Sequence, residues 1–228
     1  MVALSPRLQV ILNLINNTPA HKGTLADIGT DHAHLPIAAI QQGACNRAIA
    51  CDLHPGPLSI ANKNIQDAGL GHQIETRIGN GLQPLAPGEA DCIVIAGMGG
   101  MRIWGILNEE MEQARAAKQL ILQPQHSTVH LRKRLHEAGF DIQDEHLVRN
   151  TAGSKEYFYP ILSVRYAAAV TPWAEREYYL GKHLIAKGGE DFSAFLAWER
   201  KKIETYISSI QDEAALSTAR ERLMWLAE

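Results

Sequence analysis

"FDIQDEHLVRNTAGSKEYFYPILSVRY", Phe140 to Tyr166, decides the fold. Phe140–Val148 and Lys155–Tyr166 are both rich in β-branched and aromatic residues and read as strands. Only Arg149 to Ser154 separates them. So short a connection cannot hold a parallel crossover, so the two strands must form an antiparallel hairpin. Upstream the rhythm differs. Apolar runs at Thr24–Ile28, Arg47–Leu53, Gln73–Ile78, Asp91–Ala96 and Gln119–Gln123 alternate with helical stretches at Leu35–Gln42, Pro57–Ala68, Met101–Met111 and Ser127–Ala138. That alternation predicts parallel βαβ units in a doubly wound α/β sheet. Ahead of it, Ser5-Pro6 reads as a helix cap with proline at the first helical position. Leu8, Ile11, Leu12 and Ile15 then recur at helical spacing up to a stop at Asn16–Pro19.

A parallel core ending in an antiparallel hairpin is the Rossmann-like sheet plan of class I methyltransferases that use S-adenosylmethionine (SAM). A dinucleotide dehydrogenase would supply another helix there. Thr171-Pro172 marks a boundary, and the remainder reads as helix. Phe192, Phe195, Leu196, Ile203, Tyr206, Ile207 and Ile210 recur at three- and four-residue steps. Gly188-Gly189 is expected to divide this segment into two antiparallel helices, with a third short one at Ala219–Ala227. The expected organisation is a methyltransferase domain over 1–170 and a coiled-coil-like helical hairpin over 171–228. From Trp173 to Glu228 there are 8 Lys and Arg against 10 Asp and Glu, so this module alone is not a surface that attracts nucleic acid.

The first strand leads into "DIGTDHAHLP", Asp27 to Pro36. A diphosphate-binding loop needs G-x-G-x-x-G so that bare backbone amides reach the phosphates. Counting from Gly29, the second and third glycine positions hold Asp31 and His34. A carboxylate there repels a diphosphate and favours a cation such as a sulfonium or an ammonium. Asp52, 23 residues after Gly29, ends the second strand, where an acid grips ribose hydroxyls. "GNGL", Gly79 to Leu82, follows the third strand, and "AGMGG", Ala96 to Gly100, the fourth. These strand ends converge on one crevice in an open α/β sheet.

Composition sets the remaining bounds. The 228 residues are 46% hydrophobic, with a net charge of −3. Three cysteines without a CxxC read as reduced thiols of a cytoplasmic protein. The apolar N-terminus contains Arg7 and Asn13, so neither a signal peptide nor a membrane span is expected. His126 and His130 have a metal-compatible spacing but no third ligand nearby, so no metal is expected. The assembly expected is a monomer or weak homodimer.

The set "LSPRL" (Leu4–Leu8), "DIGTDHAHLP", "GNGL", "AGMGG" and "LILQP" (Leu120–Pro124) resembles the bacterial tRNA adenine-N1 methyltransferases that modify adenine 22, the TrmK type. The resemblance implies SAM as methyl donor, tRNA as partner and a C-terminal helical domain that helps to hold it. It implies Asp27 and Gly29 at the methionine end of SAM, Asp52 with Leu53 at the ribose, and Asn80 with Gly81 at the adenine. Ala96, Gly97 and Met98 would form the floor, Asp31 and His32 would face the target base, and Gln123 and Pro124 would wall the reaction pocket. His34, Asn80 and Gln125 depart from the residues usual in that family, which are Tyr, Asp and Asn.

Adenine N1 carries a free lone pair and can attack the sulfonium methyl directly. Charge then spreads over the base, and a carboxylate accepting from the exocyclic amine stabilises it; Asp31 is the expected residue. Met98 or Tyr157 is expected to cover the extruded base. The cluster "HLRKR", His130 to Arg134, suggests phosphate contacts through Arg132 and Lys133, with Arg102 and Lys155 as further candidates. The alternatives are a SAM methyltransferase acting on another RNA, a protein or a small molecule, a non-catalytic SAM-fold RNA-binding protein, and an NAD-dependent oxidoreductase, which Asp31 disfavours.

Overall fold

The computed structural model describes residues 4–18, 22–153, 155–209 and 211–227; Pro19, Ser154 and Ile210 lie outside the described residues. The chain opens with α1 (Pro6–Asn16). It then alternates β1 (Thr24–Ile28), α2 (His34–Gln41), β2 (Arg47–Asp52), α3 (Pro55–Asp67), β3 (Ile74–Ile78), β4 (Cys92–Met98), α4 (Gly100–Glu109), α5 (Met111–Ala116), β5 (Gln119–Pro124) and α6 (Thr128–Glu137). Next come β6 (Phe140–Ala152) and β7 (Lys155–Tyr166), then α7 (Glu175–Leu180), α8 (Lys182–Lys187), α9 (Glu190–Ile207) and α10 (Glu213–Trp225). Ser5 caps α1 by accepting from the Leu8 amide at 3.4 Å, with Pro6 in the first turn.

The seven strands order β3-β2-β1-β4-β5-β7-β6. The first five are parallel, β7 is antiparallel to both β5 and β6, and the expected Rossmann-like methyltransferase sheet is the one found. Alternate strand residues face opposite layers. Ile93, Ile95, Leu120 and Leu122 pack with Ile103 and Leu107 of α4 and Leu131 and Leu135 of α6. Val94 and Ile121 pack with Ile11, Ile37 and Ile65 from α1, α2 and α3. Each such fully buried side chain contributes roughly 1.5–3 kcal/mol. An exposed pair such as Lys63–Asp67 is screened by water and adds little, so the two apolar layers hold the sheet.

The hairpin strands are longer than their contact with the sheet. β6 and β7 pair from Phe140–Tyr166 to Ala152–Lys155, whereas β5 meets β7 only from Leu120–Val164 to Leu122–Leu162. The outer half of the ribbon therefore runs past the carboxyl end of β5. There Phe158 meets Phe195 and Trp198 of α9, ring centres 5.8 and 5.5 Å apart, and Arg149 reaches Asp191 at 3.8 Å.

Two expectations need correcting. Gly188-Gly189 does interrupt the helices, with φ of +58° and +94°, but the break ends only the short α8. The helical hairpin is α9 with α10, its reversal falling between Ile207 and Glu213 and its second helix capped by Asp212, which accepts from the Ala215 amide at 2.7 Å. Arg132 is not an RNA contact. It is 2% exposed, with two guanidinium nitrogens 2.7 Å from Glu145 Oε1 and a third donating to the Tyr178 and Tyr179 carbonyls. Glu145, fully buried, also accepts from the His183 amide. A Cβ on Gly181 would stand 2.7 Å from Arg132 and 2.8 Å from Glu145, so that glycine makes room for the pair. Lys133 beside it bonds Glu175 at 2.8 Å, so the basic cluster ties α6 to α7.

Candidate active site

The carboxyl ends of β3, β2, β1 and β4 open onto one cleft of about 250 Å³, with Arg102 and Ile106 of α4 on its wall. Its shape starts at the loop after β1. The Gly29 and Thr30 amides both donate to the Cys51 carbonyl at 2.9 Å, which folds the loop against β2. Asp31 and Ala33 then adopt φ of +54° and +57°, the left-handed region. Asp enters it more readily than most residues, whereas Ala pays roughly 1–2 kcal/mol there. The strained loop thus keeps a carboxylate where a dinucleotide loop has glycine.

Asp52 is held from both sides: Oδ2 accepts from the Asp31 amide at 3.2 Å and Oδ1 from the His54 amide at 3.0 Å. Asp27 is 6% exposed and accepts from Thr30 Oγ1 at 2.7 Å. Burial pushes its carboxyl up to about 6; the Thr30 bond opposes the shift and the nearby Asp52 adds to it. The cleft floor comes from a bulge. β4 pairs Ala96 with Gln123 and Met98 with Pro124, leaving Gly97 between them at φ +80°. Gln123 Oε1 accepts from the Gly97 amide at 3.1 Å, while its Nε2 donates to the Pro124 carbonyl. Gln123 is wholly buried, so it braces the floor from behind and does not wall the pocket, a third correction.

The loop after β5 closes backbone to backbone on the start of α4. The Gly100 amide donates to the His126 carbonyl at 2.8 Å, and a Cβ on Gly100 would stand 2.5 Å from the Ser127 carbonyl oxygen. Gly100→Ala is expected to destabilise the protein by about 1–3 kcal/mol, visible as a lower thermal midpoint. An unchanged midpoint would mean that this contact yields freely.

A protein-family model described as TrmK, tRNA (adenine(22)-N(1))-methyltransferase, matches residues 25–226. The chain belongs to the TrmK family. The tRNA (adenine(22)-N(1))-methyltransferase of Bacillus subtilis (strain 168) is 34% identical over 184 residues, 76% of either chain. Among solved structures, Sp1610 of Streptococcus pneumoniae in complex with SAM superposes with a TM-score of 0.87 at 29% identity, covering 99% of this chain and 98% of the other. TrmK of M. capricolum with S-adenosylhomocysteine gives 0.79 at 25% identity, covering 98% and 96%.

Of the residues expected to form a TrmK-type site, Gly29, Asp52, Leu53, Gly81, Ala96, Gly97 and Met98 line the cleft. Asp31, its side chain 70% exposed, and His32 stand 3.5 Å apart on the β1 loop. The Asn80 amide turns toward Glu109, 3.4 Å away. Pro124 is buried. Tyr157 is outside the cleft, in a separate groove with Lys155, Lys201 and Tyr206 between β7 and α9. Sequence reasoning missed His54, Ile106 and Arg7, the last lying over Gly97. Its signal was one cation in an otherwise uncharged helix, "PRLQVILNLIN". Among the described residues, no group of three or more His, Cys, Asp or Glu could hold a metal ion, and no helix is long and apolar enough to cross a membrane.

Proposed function

We propose that the chain methylates N1 of adenine 22 in tRNA with SAM as donor, in the cytoplasm, residues 171–228 helping to hold the RNA. The observation carrying this reading is the family match over residues 25–226, which includes all four cleft loops and both helices of the C-terminal hairpin.

The residues present fit the donor. A Cβ on Gly81 would meet Ile106 at 2.8 Å and one on Gly29 would meet Met98 at 2.5 Å, so the cleft is glycine-lined where a flat base and a slim chain must enter. Asp52 keeps lone pairs for ribose hydroxyls. Gly79 to Gly81 would flank the adenine, Asp27 and Gly29 the methionine end. Bound SAM supplies an electrophilic methyl group. The chain's own residues do the rest: the floor at Ala96 to Met98 fixes the line of approach to N1, an alignment worth up to roughly 7–11 kcal/mol. Asp31 accepts from the exocyclic amine of the target base, His32 stands beside it, and Met98 packs on the base.

The test is methyl transfer from labelled SAM to tRNA transcripts with adenine or guanine at position 22. N1 methylation blocks the pairing edge, so reverse transcription should halt at that position. Label entering both transcripts equally would refute the assignment.

Asp27 adds a pH dependence. Its folded-state pKa of about 6 lies above the ordinary carboxylate value of 3.8. The protonated form is favoured by folding, so this stabilisation is complete below about 3.8 and is lost as pH rises through about 6. A cationic donor favours the ionised form. SAM affinity should therefore rise between pH 5 and 7, and Asp27→Asn should flatten both the stability and the affinity profiles. Unaltered profiles in the variant would remove Asp27 from the site.

A further inference from the structure

α9 carries Trp198, Lys202 and Tyr206 at four-residue steps, so the three side chains line one face of the helix. Lys202 Nζ lies 4.0 Å from the centre of the Trp198 ring, and Tyr206 is 57% exposed. A hollow flanks this stripe on either side. One is a cavity of about 400 Å³ that reaches Gln125, His126 and Ser127 of the loop after β5. The other is the groove toward Lys155, Tyr157 and Lys201.

Charge and position say what fits there. Both acids in the lining are answered within the protein: Glu199 by Lys202 at 2.7 Å and Tyr179 at 2.8 Å, and Glu156 by Arg149 at 2.6 Å. Among the described residues no carboxylate pairs with Lys155, Lys201 or Arg222. The two hollows therefore carry an excess of cations, although the chain has a net charge of −3. Aromatic rings interleaved with unpaired lysines suit single-stranded nucleic acid, with bases on the rings and phosphates at the lysines. The cavity also begins beside the reaction floor. The His126 ring rests on Gly99, where a Cβ would stand 2.4 Å from it, and the Gln125 amide donates to the Met98 carbonyl at 2.8 Å. An adenine extruded onto that floor leaves the nucleotides on either side of it short of a stacking partner, next to this cavity.

We propose that the Trp198–Lys202–Tyr206 stripe is a subsite for a nucleotide flanking the target adenine, its base stacked on the aromatic side chains and the adjoining phosphates at Lys155 and Lys201; this rests on the chain acting on tRNA. The test is titration of a tRNA transcript with adenine at position 22 onto wild type, Tyr206→Ala, Tyr206→Phe and the double variant Lys155→Ala with Lys201→Ala, at several salt concentrations. The substituted side chains are exposed, so all variants should melt with wild type and bind SAM equally well. Tyr206→Ala should weaken tRNA binding roughly five- to hundred-fold, the scale of one lost base–aromatic stack, and Tyr206→Phe should restore it. The lysine variant should lower the slope of log affinity against log salt by about one for each lysine. Transcripts made abasic at one or the other nucleotide flanking adenine 22 locate the contact: on one of them Tyr206→Ala should cost no further affinity. An undiminished loss on both abasic transcripts overturns the proposal. So does tRNA binding that Tyr206→Ala leaves unaltered, a Tyr206→Phe that binds no better than Tyr206→Ala, or a salt slope that the lysine variant leaves unchanged. Wild type that takes up SAM but binds no tRNA refutes the tRNA reading itself.

Discussion

Arg132→Ala is expected to lower the thermal midpoint by roughly 6–20 °C. Truncation leaves Glu145, fully buried, as a charge without a partner, a change that costs about 3–5 kcal/mol. A protein of this size loses roughly 2–4 °C per kcal/mol. The pair joins α6, β6, α7 and α8, so the loss loosens the base on which the C-terminal helices stand. Arg132→Met with Glu145→Leu should recover part of the loss, because no buried charge remains. It should not recover all of it, since the Tyr178 and Tyr179 carbonyls and the His183 amide lose their partners, at about 1–3 kcal/mol for each group left unsatisfied. Melting curves of the three proteins check this; a single variant as stable as wild type would show that water reaches Glu145.

Asp31→Asn is expected to lower the rate of methyl transfer by about 10²–10³, the scale of removing one preorganised electrostatic contact to developing charge. The substitution suits the question because Asn tolerates the left-handed conformation that Asp31 adopts at φ +54°. The Asp31 amide still donates to Asp52, so the ribose end is undisturbed and SAM affinity should stay within a few-fold. Single-turnover rates alongside SAM titrations separate the two effects. A variant with normal single-turnover rate would assign the base-facing role elsewhere, with His32 the neighbouring candidate.

The sheet was legible because its signals are local. Strand-forming residues on both sides of the short Arg149–Ser154 connection leave one topology for Phe140–Tyr166. The strand-end acids were legible for a similar reason: electrostatics at Asp31 excludes a diphosphate whatever lies around it. Arg132 was not. Leu131 and Leu135 mark the apolar face of α6, and Arg132 with His136 looks like its solvated flank. That flank is buried by α7 and α8, which return from more than forty residues away. Gln123 failed likewise: a polar residue closing a strand reads as a pocket wall until the bulge at Gly97 gives its amide two backbone partners. The C-terminal reversal was misread because Gly188-Gly189 is a stronger breaker than the polar stretch before Asp212, yet only the latter lies between two long helices.

Under the proposed function, the outstretched β6–β7 ribbon sets how large a substrate must be. By carrying α9 past the end of β5, on the edge where the cleft opens, it gives the chain two jaws: a small one that takes a base, and a wide one bounded by Trp198, Lys202 and Tyr206. A free nucleoside fills only the first. A folded RNA with bulk beyond its reactive base would engage both, and discrimination would then come from span, as in a calliper, before any base edge is read.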